Sequence, residues 1–316
     1  MTKCLIVQAM HEDALDLLRQ GGIEPVICPD PAPGTVLSLI GDCTAVITRD
    51  AGLSGAAMRA APGLRVVVAH GAGHDAIDKE TATGQGILVC NTPGANARSV
   101  MELAFGLSIA AARLIPAGDR DERAGRPGFR ERHRTVELSG KVALIVGWGT
   151  IGAGFGRMLR DALGMEVIVH SPRARDLQGF ASVPDLASGL ARADLISLHT
   201  PMRPETRGLM GRAAFAACKP GEILVNTARA GLVDEEALAE ALDEGRIAAA
   251  GLDVYSATAP QGPLSRFDQV IFTPHLGGST EEALIRVGTG SVRNVLTALS
   301  GVRPATTVND PAGWGA

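Results

Sequence analysis

The chain has 316 residues and a mass of 32.6 kDa, a length at which one hydrophobic core rarely suffices, so we expect two domains. Hydrophobic residues make up 46% and charged residues 20%, which argues against extended disorder. A net charge of −4 and a pI near 6.0 argue against a nucleic-acid-binding protein, since such proteins usually carry a basic face.

Short apolar runs bounded by Gly, Pro or Asp predict strands buried on both faces of parallel sheets. These runs are Leu5–Val7, Ala45–Thr48, Val66–Ala69, Ile87–Cys90, Val142–Val146, Val167–Val169, Leu195–Leu198, Ile223–Asn226, Ala248–Asp253 and Val270–Thr273. Helical patterns lie between many of them, at His11–Gln20, Ser99–Arg113, Gly152–Leu163, Val183–Ala187 and Asp234–Glu244. This alternation predicts an α/β architecture of doubly wound parallel sheets, in which Ser99–Arg113 connects the domains.

The remaining segments give no sign of a metal, a membrane or a nucleic acid. The arginine-rich stretch from Arg120 to Arg134 also contains acidic residues and predicts a solvated helix and loop. The cysteines show no C-x-x-C pair, so we expect neither a zinc site nor disulfides, but reduced thiols in a cytoplasmic protein. Residues 1–10 predict a strand rather than a signal peptide, and no apolar run reaches the roughly 18 residues of a membrane helix.

The segment Gly147-Trp148-Gly149-Thr150-Ile151-Gly152 follows one predicted strand and begins a predicted helix. This setting is typical of a dinucleotide-binding motif rather than an ordinary glycine-rich turn. Gly147 permits the tight turn, Gly149 lets backbone approach the pyrophosphate, and Gly152 lets the helix pack closely on the sheet. Thr150 and Ile151 lie at the helix N-terminus, where free N–H groups favour phosphate.

The residues after the second predicted strand of this motif bear on the choice between NAD and NADP. An NAD-preferring enzyme should have Asp or Glu there, to bind the adenosine ribose hydroxyls. The chain instead has Ser171, Arg173 and Arg175. Ser171 leaves room for a 2′-phosphate, and either arginine can pair with it. We therefore predict an NAD(P) cofactor with NADP favoured over NAD; the alternative is that both arginines are solvated surface residues.

Further segments share features with one known family. They are Gly71-Ala72-Gly73-His74-Asp75-Ala76-Ile77-Asp78, Asn91-Thr92-Pro93-Gly94-Ala95-Asn96, Leu198-His199-Thr200-Pro201, Lys219-Pro220-Gly221, Val225-Asn226-Thr227-Ala228-Arg229-Ala230-Gly231, Gly251-Leu252-Asp253-Val254-Tyr255 and Thr273-Pro274-His275-Leu276-Gly277-Gly278-Ser279-Thr280. Together they resemble the D-isomer-specific 2-hydroxyacid dehydrogenase family, which includes phosphoglycerate dehydrogenase and glyoxylate/hydroxypyruvate reductase. The likeness covers nearly the whole chain.

The resemblance implies a domain arrangement and a set of partners. A Rossmann cofactor domain, residues 97–284, is inserted into a flavodoxin-like substrate domain formed by residues 1–96 and 285–316. The family usually forms homodimers through the cofactor domain. The expected partner is a small 2-oxo or 2-hydroxy acid, with no nucleic acid and no membrane.

The resemblance also implies roles for individual residues. Arg229 matches the substrate-binding arginine, whose planar fork suits a carboxylate beside a carbonyl. His275 matches the acid/base histidine, a side chain suited to proton exchange near neutrality. Backbone amides of Gly71, Ala72 and Gly73 are expected to contact the substrate carboxylate. Positions that line the cofactor are Thr200, Thr227, Ala228, Asp253 and Gly277, although a strand-end residue such as Asp253 also suits a structural cap of a turn.

One family residue is missing. A glutamate normally follows the Gly-Leu-Asp-Val element and pairs with the histidine, but Thr258 occupies its place, and no carboxylate lies between Asp253 and Asp268. We consider three explanations: Thr258 orients His275 by a neutral hydrogen bond, Glu102 or another carboxylate substitutes, or turnover has been largely lost. The first is preferred because Arg229 and His275 remain.

The sequence thus predicts an NAD(P)-dependent 2-hydroxyacid dehydrogenase acting on a substrate of the glyoxylate or hydroxypyruvate type. One alternative is a phosphoglycerate-type dehydrogenase that uses NAD, because residues 275–280 resemble that subgroup. Another is a non-catalytic NAD(P)-sensing binding protein, an interpretation that the missing glutamate leaves open.

Overall fold

Residues 2–312 are described by the structure, a computed structural model, and strands alternate with helices along almost their whole length. The chain folds as two units. The first comprises the described residues up to Asn96 and those from Gly278 onwards, and the second comprises Ala97–Gly277. The α/β class and the parallel sheets predicted from the sequence are confirmed.

The first unit begins with a regular alternation of strands and helices. In order these are β1 (Thr2–Ile6), α1 (Glu12–Gln20), β2 (Ile23–Ile27), α2 (Pro33–Ile40), β3 (Ala45–Thr48), α3 (Gly55–Arg59), β4 (Val66–Ala69), α4 (Lys79–Gly84) and β5 (Leu88–Cys90). The strands form a parallel sheet in the order β2-β1-β3-β4-β5. The sequence did not predict β2, because Glu24 and Pro25 interrupt its apolar run. Proline is tolerated there because β2 is an edge strand.

The second unit begins with helices and continues as a larger sheet. Its elements are α5 (Ala97–Ala112), α6 (Ile115–Arg123), α7 (Phe129–Arg132), β6 (Val142–Val146), α8 (Thr150–Leu163), β7 (Glu166–His170), β8 (Ala181–Ser182), α9 (Leu186–Leu190), β9 (Leu195–Leu198), α10 (Arg212–Ala217), β10 (Glu222–Asn226), α11 (Glu235–Asp243), β11 (Ile247–Leu252) and β12 (Val270–Phe272). All seven strands are parallel, in the order β12-β11-β10-β9-β6-β7-β8.

The core of the second unit lies on both faces of its sheet, because successive strand residues point to opposite faces. In β6, Leu144 belongs to one buried cluster and Ile145 to the other. The same alternation places Ile196 and Leu195 of β9 in opposite clusters. Continuous apolar runs are therefore required in these strands, which explains why the sequence predicted them.

One predicted helix, Val183–Ala187, begins three residues too early. The helix observed there is Leu186–Leu190, and Asp185 caps it by accepting a hydrogen bond from the Ser188 N–H at 2.8 Å. Val183 instead donates its N–H to the carbonyl of Val169 in β7. The capping aspartate, rather than the apolar residues before it, sets the start of this helix.

The chain returns to the first unit through α12 (Glu281–Leu299), which packs against α1 and β4. The second part of the first unit begins at Gly278, so that it contains the whole of α12. After α12, the Val308 N–H donates to the Val89 carbonyl, and Asn309 Oδ1 accepts from the Val89 N–H, each at 2.8 Å. These bonds cover the β5 edge of the sheet.

Residues 2–312 were predicted to contain no membrane helix, no metal site and no disulfide. No single helix there is long and apolar enough to span a membrane; only α5 and α6 taken together, with a bend of 59°, meet the criteria of length and composition. The same residues contain no cluster of three or more His, Cys, Asp or Glu that could hold a metal ion. All five cysteines are buried and free.

Candidate active site

Six loops carry the predicted cofactor and catalytic residues of the second unit, and each follows the carboxyl end of a strand. Gly147 to Gly152 follow β6, Ser171 to Arg175 follow β7, Thr200 follows β9, Thr227 to Arg229 follow β10, Asp253 and Thr258 follow β11, and His275 and Gly277 follow β12. Parallel strands place their carboxyl ends on one edge of the sheet, where ligands bind in such folds. The fold thus gathers these residues at a single edge.

Two glycines of the loop after β6 are required by close backbone contacts. Gly147 has a φ of +99°, and a Cβ there would lie 2.6 Å from the carbonyl oxygen of His199. A Cβ on Gly152 would lie 2.1 Å from the carbonyl oxygen of Gly147. By contrast, a Cβ on Gly149 would meet nothing within 4 Å, so Gly149 faces open space.

The N-terminus of α8 can accept a dinucleotide phosphate. Gly149 is its N-cap and supplies no side-chain acceptor to the first N–H groups, at Thr150 and Ile151. Such groups favour anions. At the same edge, Thr227 Oγ1 is buried and has no hydrogen-bond partner among residues 2–312. An open helix N-terminus and an orphaned hydroxyl fit a ligand with both phosphates and hydrogen-bonding groups.

The loop after β7 is attached to the glycine loop. Ser171 Oγ accepts a hydrogen bond from the N–H of Trp148 at 3.2 Å. The Trp148 ring packs against Phe180, with ring centroids 5.0 Å apart. Arg173 forms an ion pair with Glu205 at 3.6 Å, and Arg175 is exposed. Both arginines are therefore accessible to a ligand at the sheet edge.

A buried amide shapes the turn that carries Arg229. Asn226 Oδ1 accepts from the N–H of Ala228 at 3.0 Å, and Asn226 Nδ2 donates to the carbonyl of Arg229 at 2.9 Å. The Arg229 guanidinium also donates to the Ala228 carbonyl at 2.7 Å. Asn226 was not predicted as a functional residue. A polar side chain at the end of the apolar run Ile223–Val225 was the available signal, since a buried amide needs hydrogen-bond partners.

The turn that carries His275 is held by Asp253. His275 adopts a φ of +53°, which is uncommon for a residue other than glycine, and its N–H donates to the Thr273 carbonyl at 2.8 Å. The Asp253 carboxylate accepts from Thr273 Oγ1 at 2.6 Å and from the N–H groups of Leu276 and Gly277 at 2.7 and 2.8 Å. Asp253, 2% exposed, is thus the cap of this turn.

The surroundings of Thr258 differ from the expected hydrogen bond to His275. Thr258 is exposed, and its Oγ1 lies 3.3 Å from Ser256 Oγ, its one side-chain partner within residues 2–312. Glu102, the carboxylate named as a substitute, pairs with Arg98 at 2.5 Å on the exposed face of α5. The carboxylate that reaches this segment is Glu235 of α11, which accepts from Ser256 N–H at 2.7 Å and from Ser256 Oγ–H at 2.6 Å.

Two other histidines are unsuited to donate protons near neutral pH. Burial lowers the pKa of His199 to about 3, and its Nε2 lies 2.9 Å from Ser197 Oγ. Burial, assisted by the charge of Arg49, lowers the pKa of His70 to about 4. Since both imidazoles are neutral at pH 7, neither is suited to act as a general acid.

In the first unit, the loop Gly71–Gly73 is held by the residues that follow β5. The Gly71 N–H donates to Thr92 Oγ1 at 3.0 Å, and the Thr92 N–H donates to the Gly71 carbonyl at 2.9 Å. Asn91 Nδ2 donates to the Ala72 carbonyl at 2.8 Å. Ala72 and Gly73 are exposed, so their backbone is accessible to a ligand.

The sequence of the second unit was compared with known families. The profile of the D-isomer specific 2-hydroxyacid dehydrogenase NAD binding domain matches residues 105–277, more than half of the chain. The chain belongs to this family. The glycine loop, Arg229 and His275 all lie within the matched residues, and the family's NAD binding domain establishes a nicotinamide cofactor.

Relatives of this family are similar over nearly the whole chain. D-3-phosphoglycerate dehydrogenase from Methanocaldococcus jannaschii is 38% identical over 98% of the chain, but the chain spans only 60% of that protein's length. A protein from Thermus thermophilus superposes with a TM-score of 0.89 and 32% identity, covering 97% of this chain and 100% of that one. A glyoxylate reductase from Paecilomyes thermophila superposes with a TM-score of 0.85 and 26% identity, over 97% and 98%.

Proposed function

We propose that the protein is a dehydrogenase that interconverts a small 2-oxo acid and its D-2-hydroxy acid. The observation that carries the proposal is the sheet edge of the second unit, where a phosphate-accepting helix N-terminus lies on the same edge as Arg229 and His275. Asn226 holds the turn of Arg229 and Asp253 holds the turn of His275. An edge built in this way suits catalysis, which requires preorganised groups.

The chemistry divides between the cofactor and the chain. A bound nicotinamide supplies the hydride for reduction and accepts it in oxidation. Arg229 binds the substrate carboxylate and polarises the neighbouring carbonyl oxygen, since its guanidinium carries donors in a planar fork. His275 donates a proton to that oxygen in reduction and takes it back in oxidation. Of the loop Gly71–Gly73, the amides of Ala72 and Gly73 contact the substrate carboxylate, since the Gly71 N–H already donates to Thr92 Oγ1.

The cofactor residues follow from the loops of the second unit. Gly147, Gly149, Thr150, Ile151 and Gly152 accept the pyrophosphate at the start of α8. The remaining contacts to the cofactor come from Ser171, Arg173, Arg175, Thr200, Thr227, Ala228, Asp253 and Gly277. Because Ser171 replaces a carboxylate after β7 and two accessible arginines follow it, NADP is the favoured cofactor.

The proposed substrate is a compact 2-oxo acid such as glyoxylate or hydroxypyruvate. Similarity to a glyoxylate reductase of known structure supports it. The second candidate is oxidation of a phosphoglycerate-type substrate with NAD, which is favoured by 38% identity to a protein named D-3-phosphoglycerate dehydrogenase. Reduced, buried cysteines support action in the cytoplasm.

We further propose a homodimer formed through the second unit. A cavity of about 650 Å³ on the surface of α5 and α8 is lined by the apolar side chains of Met101, Phe105 and Met158, with charged residues beside them (Arg98, Arg157 and Asp161). Apolar surface of this kind suits a second copy of the chain. Sedimentation equilibrium should give twice the chain mass, and Met101→Asp should shift it towards the monomer; a monomeric unaltered protein contradicts the proposal.

The deciding experiment follows absorbance at the nicotinamide band with NADPH and with NADH. The substrates are glyoxylate, hydroxypyruvate, pyruvate and phenylpyruvate, together with 3-phosphoglycerate in the oxidative direction. Turnover of a 2-oxo acid supports the main proposal, and turnover of 3-phosphoglycerate alone supports the second candidate. Cofactor binding without any turnover would contradict both and favour a sensing protein.

A further inference from the structure

An ion pair bridges the two loops that flank the glycine loop. The sheet order places β6 between β9 and β7, so the loops after β9 and β7 lie on either side of Gly147–Gly149. Arg173 belongs to the loop after β7, and Glu205 belongs to the loop after β9. Their charged groups lie 3.6 Å apart. The pair therefore joins the loops on the two sides of the glycine loop, at the sheet edge where we propose that the cofactor binds.

Both partners lie in turns closed by hydrogen bonds, and both side chains are exposed. Glu205 lies in the 3-10 turn Pro204–Thr206, and Thr206 Oγ1 fixes this turn by accepting the Arg203 N–H and donating to the Pro201 carbonyl, each at 2.8 Å. The side chains of Arg173 and Glu205 are 64% and 65% exposed, so the pair exchanges partners at little cost. Glu205 thus presents an exposed carboxylate to Arg173 from a turn that hydrogen bonds fix.

We propose that Glu205 is a specificity-determining residue that competes with the cofactor's 2′-phosphate for Arg173. The inference rests on the proposed function, in which Arg173 faces the adenosine end of the cofactor. A 2′-phosphate that pairs with Arg173 must take the place of the Glu205 carboxylate, whereas a cofactor without that phosphate leaves the pair intact. Glu205 therefore weakens NADP binding relative to NAD binding.

The test measures dissociation constants of NADP and NAD by titration calorimetry on the full chain without substrate. Glu205→Gln should lower the Kd ratio of NADP to NAD by about two- to fivefold, the range expected from loss of an exposed ion pair. In an Arg173→Ala background the same substitution should leave the ratio unchanged. This second comparison separates competition for Arg173 from a general loss of negative charge.

Glu166→Gln is the matched control. Glu166 pairs with Arg192 at 2.6 Å, with side chains 54% and 51% exposed, at the opposite end of β7. The Glu166→Gln substitution should leave the Kd ratio of NADP to NAD unchanged, because it removes the same charge far from the loops that bind the cofactor. An unchanged Kd ratio in Glu205→Gln, or a change that persists in the Arg173→Ala background, would overturn the proposed role of Glu205. The proposed function would not be affected by either result. Failure of the unaltered chain to bind either nucleotide would overturn the cofactor proposal and this one together.

Discussion

The carboxylate of Asp253 accepts a hydrogen bond from the Gly277 N–H at 2.8 Å, two residues beyond His275. The same carboxylate accepts from Leu276 N–H and Thr273 Oγ1, so its bonds fall on both sides of the histidine. A buried, charged acceptor therefore maintains a backbone turn that His275 would otherwise rarely adopt.

Asp253→Asn should weaken this turn. Asparagine keeps one acceptor oxygen, but its NH2 group replaces the other oxygen and would face an N–H or hydroxyl group that also donates. Loss of a charge-assisted bond costs about 1.5 to 3 kcal/mol, so we expect kcat to fall about ten- to a hundredfold. Steady-state kinetics with a 2-oxo acid would measure it. Asp268→Asn, at an exposed carboxylate paired with Arg120, is the control. Equal rates for the two variants would show that the turn does not need Asp253.

His275→Ala should reduce kcat by about a hundredfold or more while the Kd of the cofactor stays unchanged, because a general acid is lost. His133→Ala is the control, since His133 stacks on Phe129 away from the sheet edge. The measurement combines initial rates with cofactor titration. Full activity in His275→Ala would remove this residue from the mechanism.

Thr258→Glu should restore a carboxylate at the place where the family has one. Thr258 lines a cavity of about 270 Å³ with Glu235 and Ser256, so the larger side chain has room. A carboxylate near His275 favours the protonated imidazole, and reduction should then extend to higher pH. Rates from pH 5 to 9 would show this shift, with Thr258→Gln as the uncharged control. Identical profiles for the two variants would place Thr258 too far from His275 to influence it.

Ser171→Asp should shift cofactor preference towards NAD. The new carboxylate can still accept the Trp148 N–H, as Ser171 does at 3.2 Å, while it repels a 2′-phosphate. The ratio of kcat/KM for NADPH to that for NADH should fall at least tenfold. Ser182→Asp, on the neighbouring strand β8, adds the same charge to an exposed position. An equal change in both variants would indicate a general effect of charge.

The fold was predictable wherever burial imposes a pattern on the sequence. Strands such as β6 and β9 are buried on both faces, so their continuous apolar runs are diagnostic. The edge strand β2 was missed because one side of it faces solvent, where Glu24 and Pro25 are tolerated. Helix α9 was placed too early because its start depends on Asp185, a capping residue rather than an apolar one.

The site was predictable where a residue type has one strong chemical reason to be present. Gly147 and Gly152 are such positions, because their neighbours leave no space for a Cβ. The turn cap of Asp253 was offered by the sequence as one of two roles, but the contacts of Asn226 were not predicted, since they depend on the positions of residues in the folded turn. The link from Glu235 to Ser256 joins residues 21 positions apart and has no signature in the sequence.

Glu222 is a buried carboxyl group at the start of β10. It lies at the amino ends of the strands of the second unit, opposite the edge that carries the candidate site. It is 0% exposed; one oxygen accepts the Lys219 N–H at 2.8 Å, and Oε2 has no hydrogen-bond partner within residues 2–312. Burial, which outweighs the effects of the Cys218 thiol and Lys219, raises the pKa of Glu222 from 4.5 to about 7. The folded chain therefore retains a proton here that the unfolded chain loses above pH 4.5.

This difference makes stability depend on pH. A carboxyl whose pKa is raised by folding favours the folded state fully below pH 4.5, and that advantage is lost as pH rises through 7. Between pH 5 and 8.5 the free energy of unfolding should fall by up to about 3 kcal/mol from this group. Glu222→Gln cannot ionise and should remove that dependence in urea unfolding followed by circular dichroism. The control Glu24→Gln, which changes an exposed carboxylate, should retain the pH dependence of the free energy of unfolding. Parallel pH curves for Glu222→Gln and the unaltered chain would show that Glu222 does not titrate in this range.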